Sequence, residues 1–133
     1  MCLTILVTGG ARSGKSSFAE KRTKQLGSSL VYIATSEIID SEMEKRVAEH
    51  QARRGSEWQT LHAPLKLTEA LFETDGKGPC LVDCLTIWLN NLIFHNEDTV
   101  VATKELIKVL EKRSDPVVLV TNEVGSGIVP ENA

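Results

Sequence analysis

Residues 9–16 read GGARSGKS, placing Gly9, Gly14, Lys15 and Ser16 at the fixed positions of the pattern G-x-x-x-x-G-K-[ST]. An apolar run, TILVT at 4–8, precedes this loop, and a helix-forming stretch, KSSFAEKRTKQL, follows it. Strand, glycine loop and helix in that order suit one task. Glycines let the backbone curl until successive N–H groups point inward as a phosphate nest. The new helix adds free N–H groups and the positive end of its dipole. Gly9, Gly10, Ala11, Arg12, Ser13, Gly14, Lys15 and Ser16 are therefore expected to hold the phosphates of a nucleotide. Within that set Lys15 would reach the β- and γ-phosphates, and the Ser16 hydroxyl would face Mg2+.

Three further apolar runs follow, SLVYIAT at 29–35, PCLVDCL at 79–85 and PVVLVTN at 116–122. They are continuous rather than alternating, the pattern of central parallel strands covered on both faces. Helical stretches lie between them at 15–26, 41–54, 86–94 and 98–112, and Pro64 is expected to open a short helix carrying Leu67, Ala70 and Leu71. GSE at 55–57 and DGKGP at 75–79 read as loops. The alternation predicts an α/β chain with a mostly parallel sheet. With the phosphate loop at its start, the expected class is a three-layer P-loop NTPase-like fold forming a single nucleotide-binding domain over 1–133. The chain stops at GIVPENA soon after its fourth predicted strand, which reads either as the end of a small domain or as a fragment of a longer protein.

Of 133 residues, 41% are apolar and 25% charged, enough for a packed core and against global disorder. A formal charge of −3 argues against a bulk nucleic-acid binder. Cys2, Cys80 and Cys84 form an odd set without a CxxC pair, which points to a reducing compartment, with Cys80 and Cys84 as small buried apolar groups. MCLTILVTGG lacks a basic leader region, and no run approaches 18 apolar residues. Cytoplasm is the expected location, with no membrane span.

Outside the loop, Asp83 ends an apolar strand, where it reads either as an acid ordering Mg2+ through its waters or as a helix cap. Arg46, His50 and Arg53 are spaced i, i+4, i+7 on one helical face, with Arg54 beside them. Arginines can gather a triphosphate, and a neutral imidazole among them is a nucleophile toward phosphorus. The competing reading is a solvated basic face with an idle histidine. His62 precedes Pro64 in an expected loop, and His95 reads as a helix-end residue. Trp88 is expected to pack a helix on the sheet, and Trp58 to anchor a loop or stack on a base. Asn122 and Glu123 fall at the carboxyl end of a strand, the edge where open α/β sheets bind ligands, and Gly125 and Gly127 would allow close approach there; the competing reading is a plain strand-exit turn.

Four segments in order, ILVTGGARSGKS, YIATSEIIDSEMEKRVAEHQARR, VDCLTIWLNNL and VLVTNEVGSGIVPEN, resemble the bifunctional adenosylcobinamide kinase / adenosylcobinamide-phosphate guanylyltransferase family. That resemblance implies phosphorylation of the aminopropanol arm of adenosylcobinamide, then transfer of GMP from GTP onto the new phosphate with release of pyrophosphate, in cobalamin biosynthesis. It implies a histidine–GMP adduct at His50, since Glu49 beside it cannot form one. It implies catalytic roles for His50 and Lys15. It implies nucleotide contacts at Ala34, Thr35, Ser36, Gln51, Ala52, Arg53, Arg54, His62 and Asp83, and metal contacts at Ser16 and Asp83. The implied ligands are Mg2+, GTP, ATP and adenosylcobinamide, with no nucleic acid. The implied assembly is a homo-oligomer, a trimer in relatives, and the implied fold continues beyond VPEN with a C-terminal helix and strand that this sequence is expected to lack. His62 and Asp83 stand where members often carry Glu; Asp keeps the charge on a shorter arm, whereas His62 loses an acceptor. Two other readings stay open from the residues: a P-loop kinase for another small alcohol, and a GTP-binding remnant without catalysis.

Overall fold

The computed structural model describes residues 3–9, 14–37 and 41–122, with the backbone alone at position 50. Ten elements follow in chain order: β1 (Thr4–Gly9), α1 (Lys15–Lys24), β2 (Leu30–Ala34), α2 (Ser41–Arg53), β3 (Trp58–His62), α3 (Leu67–Glu73), β4 (Cys80–Asp83), α4 (Leu85–Phe94), α5 (Thr99–Lys112) and β5 (Val117–Asn122). The five strands form one sheet in the order β1-β5-β4-β2-β3, and each neighbouring pair is parallel. This is the α/β architecture of the P-loop NTPase type that the sequence predicts.

The continuous apolar runs fall where expected, in the middle of the sheet. β2, β4 and β5 are buried along nearly their whole length, while edge strands β1 and β3 are only partly covered. Side chains alternate between faces along each strand. Val31, Ile33, Cys80, Val82, Val117 and Leu119 point to one face and pack with Leu67, Leu71, Trp88, Leu92 and Leu106 of α3, α4 and α5. Leu30, Tyr32, Leu81, Val118 and Val120 point to the other face and pack with Ala19 of α1. Two cores on either side of one sheet give three layers.

Two expectations need correction. The apolar pattern marks no strand at 58–62, yet Trp58–His62 pairs with β2 from Leu30↔Trp58 to Ala34↔His62. It is an edge strand of mixed polarity, WQTLH, so it lacks the apolar run that marks its neighbours. The third helix begins at Leu67 with Lys66 as its cap, not at Pro64, and an irregular turn separates them. Asp98 caps α5 as a side-chain acceptor, its Oδ1 receiving the N–H groups of Val100 at 3.0 Å and Val101 at 3.1 Å. Trp88 packs its helix on the sheet as expected, and its indole N–H donates to the Leu65 carbonyl at 3.0 Å. Cys80 and Cys84 are free and buried. Burial pushes the Cys80 thiol up to about 12, so it stays neutral and behaves as an apolar group.

Candidate active site

In a fully parallel sheet every strand ends on the same edge. Register places Gly9 beside Asn122, Ala34 beside both His62 and Asp83, and Asp83 beside Val120. Gly9, Ala34, His62, Asp83 and Asn122 thus lie along one carboxyl edge, where open α/β sheets bind ligands. β1 ends at this edge with Gly9, and α1 begins at Lys15. Gly14 caps α1 with φ +78°, a backbone setting that glycine adopts without strain.

A cleft of ≈ 480 Å³ opens beside this edge, within the range of small-molecule sites. Ser16, Ala34, Ser36, Arg53, Arg54, His62 and Asp83 all line it. The phosphate-loop end of α1, the exits of β2, β3 and β4 and the end of α2 therefore converge on one space. The Ser16 hydroxyl reaches Asp83 Oδ2 at 3.4 Å. Asp83 ends β4, and the cap position of α4 is Cys84, so Asp83 is a strand-end acid rather than the helix cap.

Lys15 is nearly buried at the start of α1; burial raises the Cys84 thiol pKa, and the charge of Lys15 only partly opposes that rise. Lys15 is therefore near the β4–α4 junction. Gln51 and Ala52 are exposed on α2 and do not line the cleft; Arg46 is exposed as well. Gly10, Ala11, Arg12, Ser13, Glu123, Gly125 and Gly127 lie outside the described residues, as does the side chain of His50.

Thr35, expected among the nucleotide contacts of the strand end, uses its side chain within the fold. It is fully buried. Its hydroxyl donates to the Cys84 carbonyl at 2.7 Å and accepts the Cys84 N–H at 2.8 Å. Its own N–H donates to the Asp83 carbonyl at 3.1 Å, and its carbonyl accepts from the Asn91 amide at 2.8 Å. Thr35 therefore fastens β2 to the turn that presents Asp83. Thr86 does the same at β5, exchanging hydrogen bonds with the Asn122 N–H at 3.0 Å and carbonyl at 3.3 Å.

Tyr32 is a cleft residue that no sequence motif marks. Its hydroxyl donates to Asp83 Oδ2 at 2.7 Å. Burial raises its pKa, and the charge of Asp83 and this hydrogen bond raise it further, so the phenol keeps its proton. The one signal in the sequence is a hydroxyl-bearing side chain inside LVYIA, two residues and one face from the strand end. Trp58, expected in a loop, is the first residue of β3 and meets Tyr32 edge-on at 6.0 Å. Arg54 stacks over the Tyr32 ring, its guanidinium carbon 3.6 Å from the ring centre. His62 ends β3 and lines the cleft. His95 follows α4 at its cap, as expected, and its Nε2 lies 3.0 Å from Glu37 Oε2.

Comparison with known proteins narrows the chemistry. The family described as cobinamide kinase / cobinamide phosphate guanyltransferase matches residues 5–133. The bifunctional adenosylcobalamin biosynthesis protein CobP of Pseudomonas aeruginosa is 43% identical over 128 residues, covering 94% of this chain and 74% of the relative. The CobU proteins of the same description from Escherichia coli and Salmonella typhimurium are 38% and 39% identical, each covering 98% of this chain and 80% of the relative. Among solved structures, the RadB recombinase superposes with a TM-score of 0.61 at 15% identity. That match covers 96% of this chain but 64% of the recombinase, less than two thirds of its length, and it speaks for the fold alone.

Proposed function

The chain belongs to the cobinamide kinase / cobinamide phosphate guanyltransferase family, and from that membership we propose a two-step route through the cleft at the carboxyl edge of the sheet. Its activities are those of the family, a kinase acting on adenosylcobinamide and a guanylyltransferase acting on the phosphate so formed, in cobalamin biosynthesis. The observation that carries the proposal is the convergence of Ser16 and Asp83 with Arg53, Arg54 and His62 on one cleft.

In the kinase step, the loop from Gly9 to Ser16 cradles the donor phosphates, and Lys15 offsets charge on the β- and γ-oxygens. Ser16 and Asp83 offer hard oxygen donors on one side of the cleft, Oγ and Oδ2 being 3.4 Å apart. That donor set fits a hydrated Mg2+, which when bound neutralises phosphate charge. ATP and GTP both suit the loop, since it contacts phosphates and not the base.

In the transfer step, a ring nitrogen of His50 attacks the α-phosphorus of GTP, a P–N bond forms and pyrophosphate leaves. The phosphate oxygen of adenosylcobinamide phosphate then displaces the imidazole, giving a P–O–P link. An intermediate replaces one transfer between two anions by two easier ones. Arg53 and Arg54 gather the phosphate oxygens. The position of His50 in the last turns of α2, just before the two arginines at the cleft, supports this role. Gln51, Ala52, Ala34, Ser36 and His62 supply contacts to the rest of the nucleotide, and Asp83 shares in them.

A homo-oligomer, trimeric as in relatives, would also give α2 a use for a face that is largely exposed in one subunit. The two buried free thiols, Cys80 and Cys84, support a reducing, cytoplasmic setting. No described helix is long and apolar enough to cross a membrane.

The test is a sequential assay with adenosylcobinamide, ATP and then GTP, followed by chromatography of the corrinoid products. The proposal predicts a phosphorylated product first and a guanylylated one with release of pyrophosphate second. Phosphorylation without guanylyl transfer would reduce the protein to a kinase. Nucleotide binding with neither product would make it a binding module.

A further inference from the structure

We infer that Tyr32 is a positioning residue that ties the Asp83 carboxylate and the Arg54 guanidinium into one unit, setting the magnesium side and the triphosphate side of the cleft together. The inference rests on the proposed place of Asp83 at the magnesium side.

Alternation along β2 turns Leu30 and Tyr32 to the α1 face of the sheet, so the Tyr32 ring is buried beneath the cleft and its hydroxyl emerges at the strand exits. That hydroxyl donates to Asp83 Oδ2 at 2.7 Å, the same oxygen that Ser16 Oγ reaches at 3.4 Å. Among the described residues Asp83 Oδ1 accepts no hydrogen bond. One carboxylate oxygen is thus fixed within the protein, and the other has no hydrogen-bond donor among the described residues. A carboxylate held through one oxygen loses its torsional freedom before any ligand arrives, which lowers the cost of using the second.

The ring does separate work. Arg54 lies over it at 3.6 Å and is anchored by a hydrogen bond from Nη2 to Thr60 Oγ1 at 3.2 Å. Arg54 is 8% exposed, and its Nε has no partner among the described residues. A buried guanidinium with an unused donor at a cleft wall needs a stiff support, and the Tyr32 ring is that support, steadied by the Trp58 edge. A buried tyrosine serving only as core would do as well as phenylalanine. Here the hydroxyl bonds a carboxylate of the site.

Hydroxyl and ring can be tested apart. Tyr32→Phe keeps the ring, and Tyr32→Leu removes both. A fluorescent GTP analogue is titrated against the full chain in saturating Mg2+ and again in EDTA, with folding followed by circular dichroism. Tyr32→Phe should lose about tenfold in affinity with Mg2+, the loss of one charge-assisted hydrogen bond, and nothing in EDTA. Added to Asp83→Asn it should cause little further loss, because the two act through one oxygen. Tyr32→Leu should also lose affinity in EDTA, through Arg54. If Asp83→Asn weakens only the Mg2+-dependent binding while Tyr32→Phe changes nothing, or lowers affinity equally in both buffers, the positioning role is overturned and the magnesium side stands. If Asp83→Asn itself leaves Mg2+ dependence untouched, the magnesium assignment fails first, and the inference with it.

Discussion

The side chain of Thr35 holds the edge of the site from within the fold. Both backbone groups of Cys84 and the position of Asp83 depend on its hydroxyl and its N–H. Thr35→Val keeps the shape but leaves the buried Cys84 N–H and carbonyl without that partner. It should destabilise the fold by about 1–3 kcal/mol in urea unfolding. Lys15 is proposed to act on the reaction instead. Lys15→Ala should lower kinase turnover by about a hundredfold or more with little change in unfolding midpoint, as read by steady-state kinetics with adenosylcobinamide. The glycine loop with Lys15 and Ser16, the acid at Asp83 and the arginines at the end of α2 are all legible in the sequence, because each belongs to a local pattern. Tyr32 is not, since its partners Asp83, Arg54 and Trp58 come from three other parts of the chain. For Thr35 the position at a strand end is legible, but the direction of its side chain is not, being set by a bond to the β4–α4 turn.

At the scale of elements, the amino end of the sheet is held by a polar knot opposite the site. Arg113, 2% exposed, donates to the carbonyls of Leu71 and Gly78 and to the Thr74 hydroxyl, joining the ends of α3 and α5 to the loop before β4. Arg113→Met should cost about 3 kcal/mol in urea unfolding, because buried acceptors lose a charged donor. Gly78 sits in the same knot at φ +118°, where an added Cβ would lie 1.9 Å from the Ser29 carbonyl oxygen. Backbone cannot yield as a flexible side chain can, so Gly78→Ala should cost about 3 kcal/mol or more by the same measurement. For Asp75, burial favours the neutral acid, but backbone N–H groups of Asp115 and Ser114, together with Arg113, outweigh it and lower the pKa. A carboxyl depressed in the fold stabilises it above the unfolded value of about 3.9 and loses that contribution as pH falls through the folded value. The unfolding midpoint of the wild type should therefore drop more steeply from about pH 5 to pH 3 than that of Asp75→Asn. Apolar runs make the central strands legible in the sequence, because burial on both faces leaves one kind of side chain. β3 is not legible there, because an edge strand needs fewer apolar residues and its pairing with β2 is a long-range fact.

For the whole molecule, parallel pairing is what turns scattered sequence features into a site. It brings the exits of β1, β2, β3, β4 and β5 to one edge, and α1 and α2 both face the same cleft there. Ser16, Asp83 and the arginines at the end of α2 lie far apart in sequence and line one cleft. On the proposed route both chemical steps use this one nucleotide space, and His50 is the residue proposed to distinguish a transferase from a kinase. The decisive measurement is the intact mass of the full chain after incubation with GTP, for wild type and for His50→Ala, with adenosylcobinamide phosphorylation assayed in parallel. Alanine is a good helix former, so α2 should persist in the variant. The account predicts that the wild type gains the mass of one GMP, that His50→Ala gains none, and that the variant still phosphorylates adenosylcobinamide. Uptake of GMP by His50→Ala at the wild-type level, or no uptake by the wild type, would contradict it.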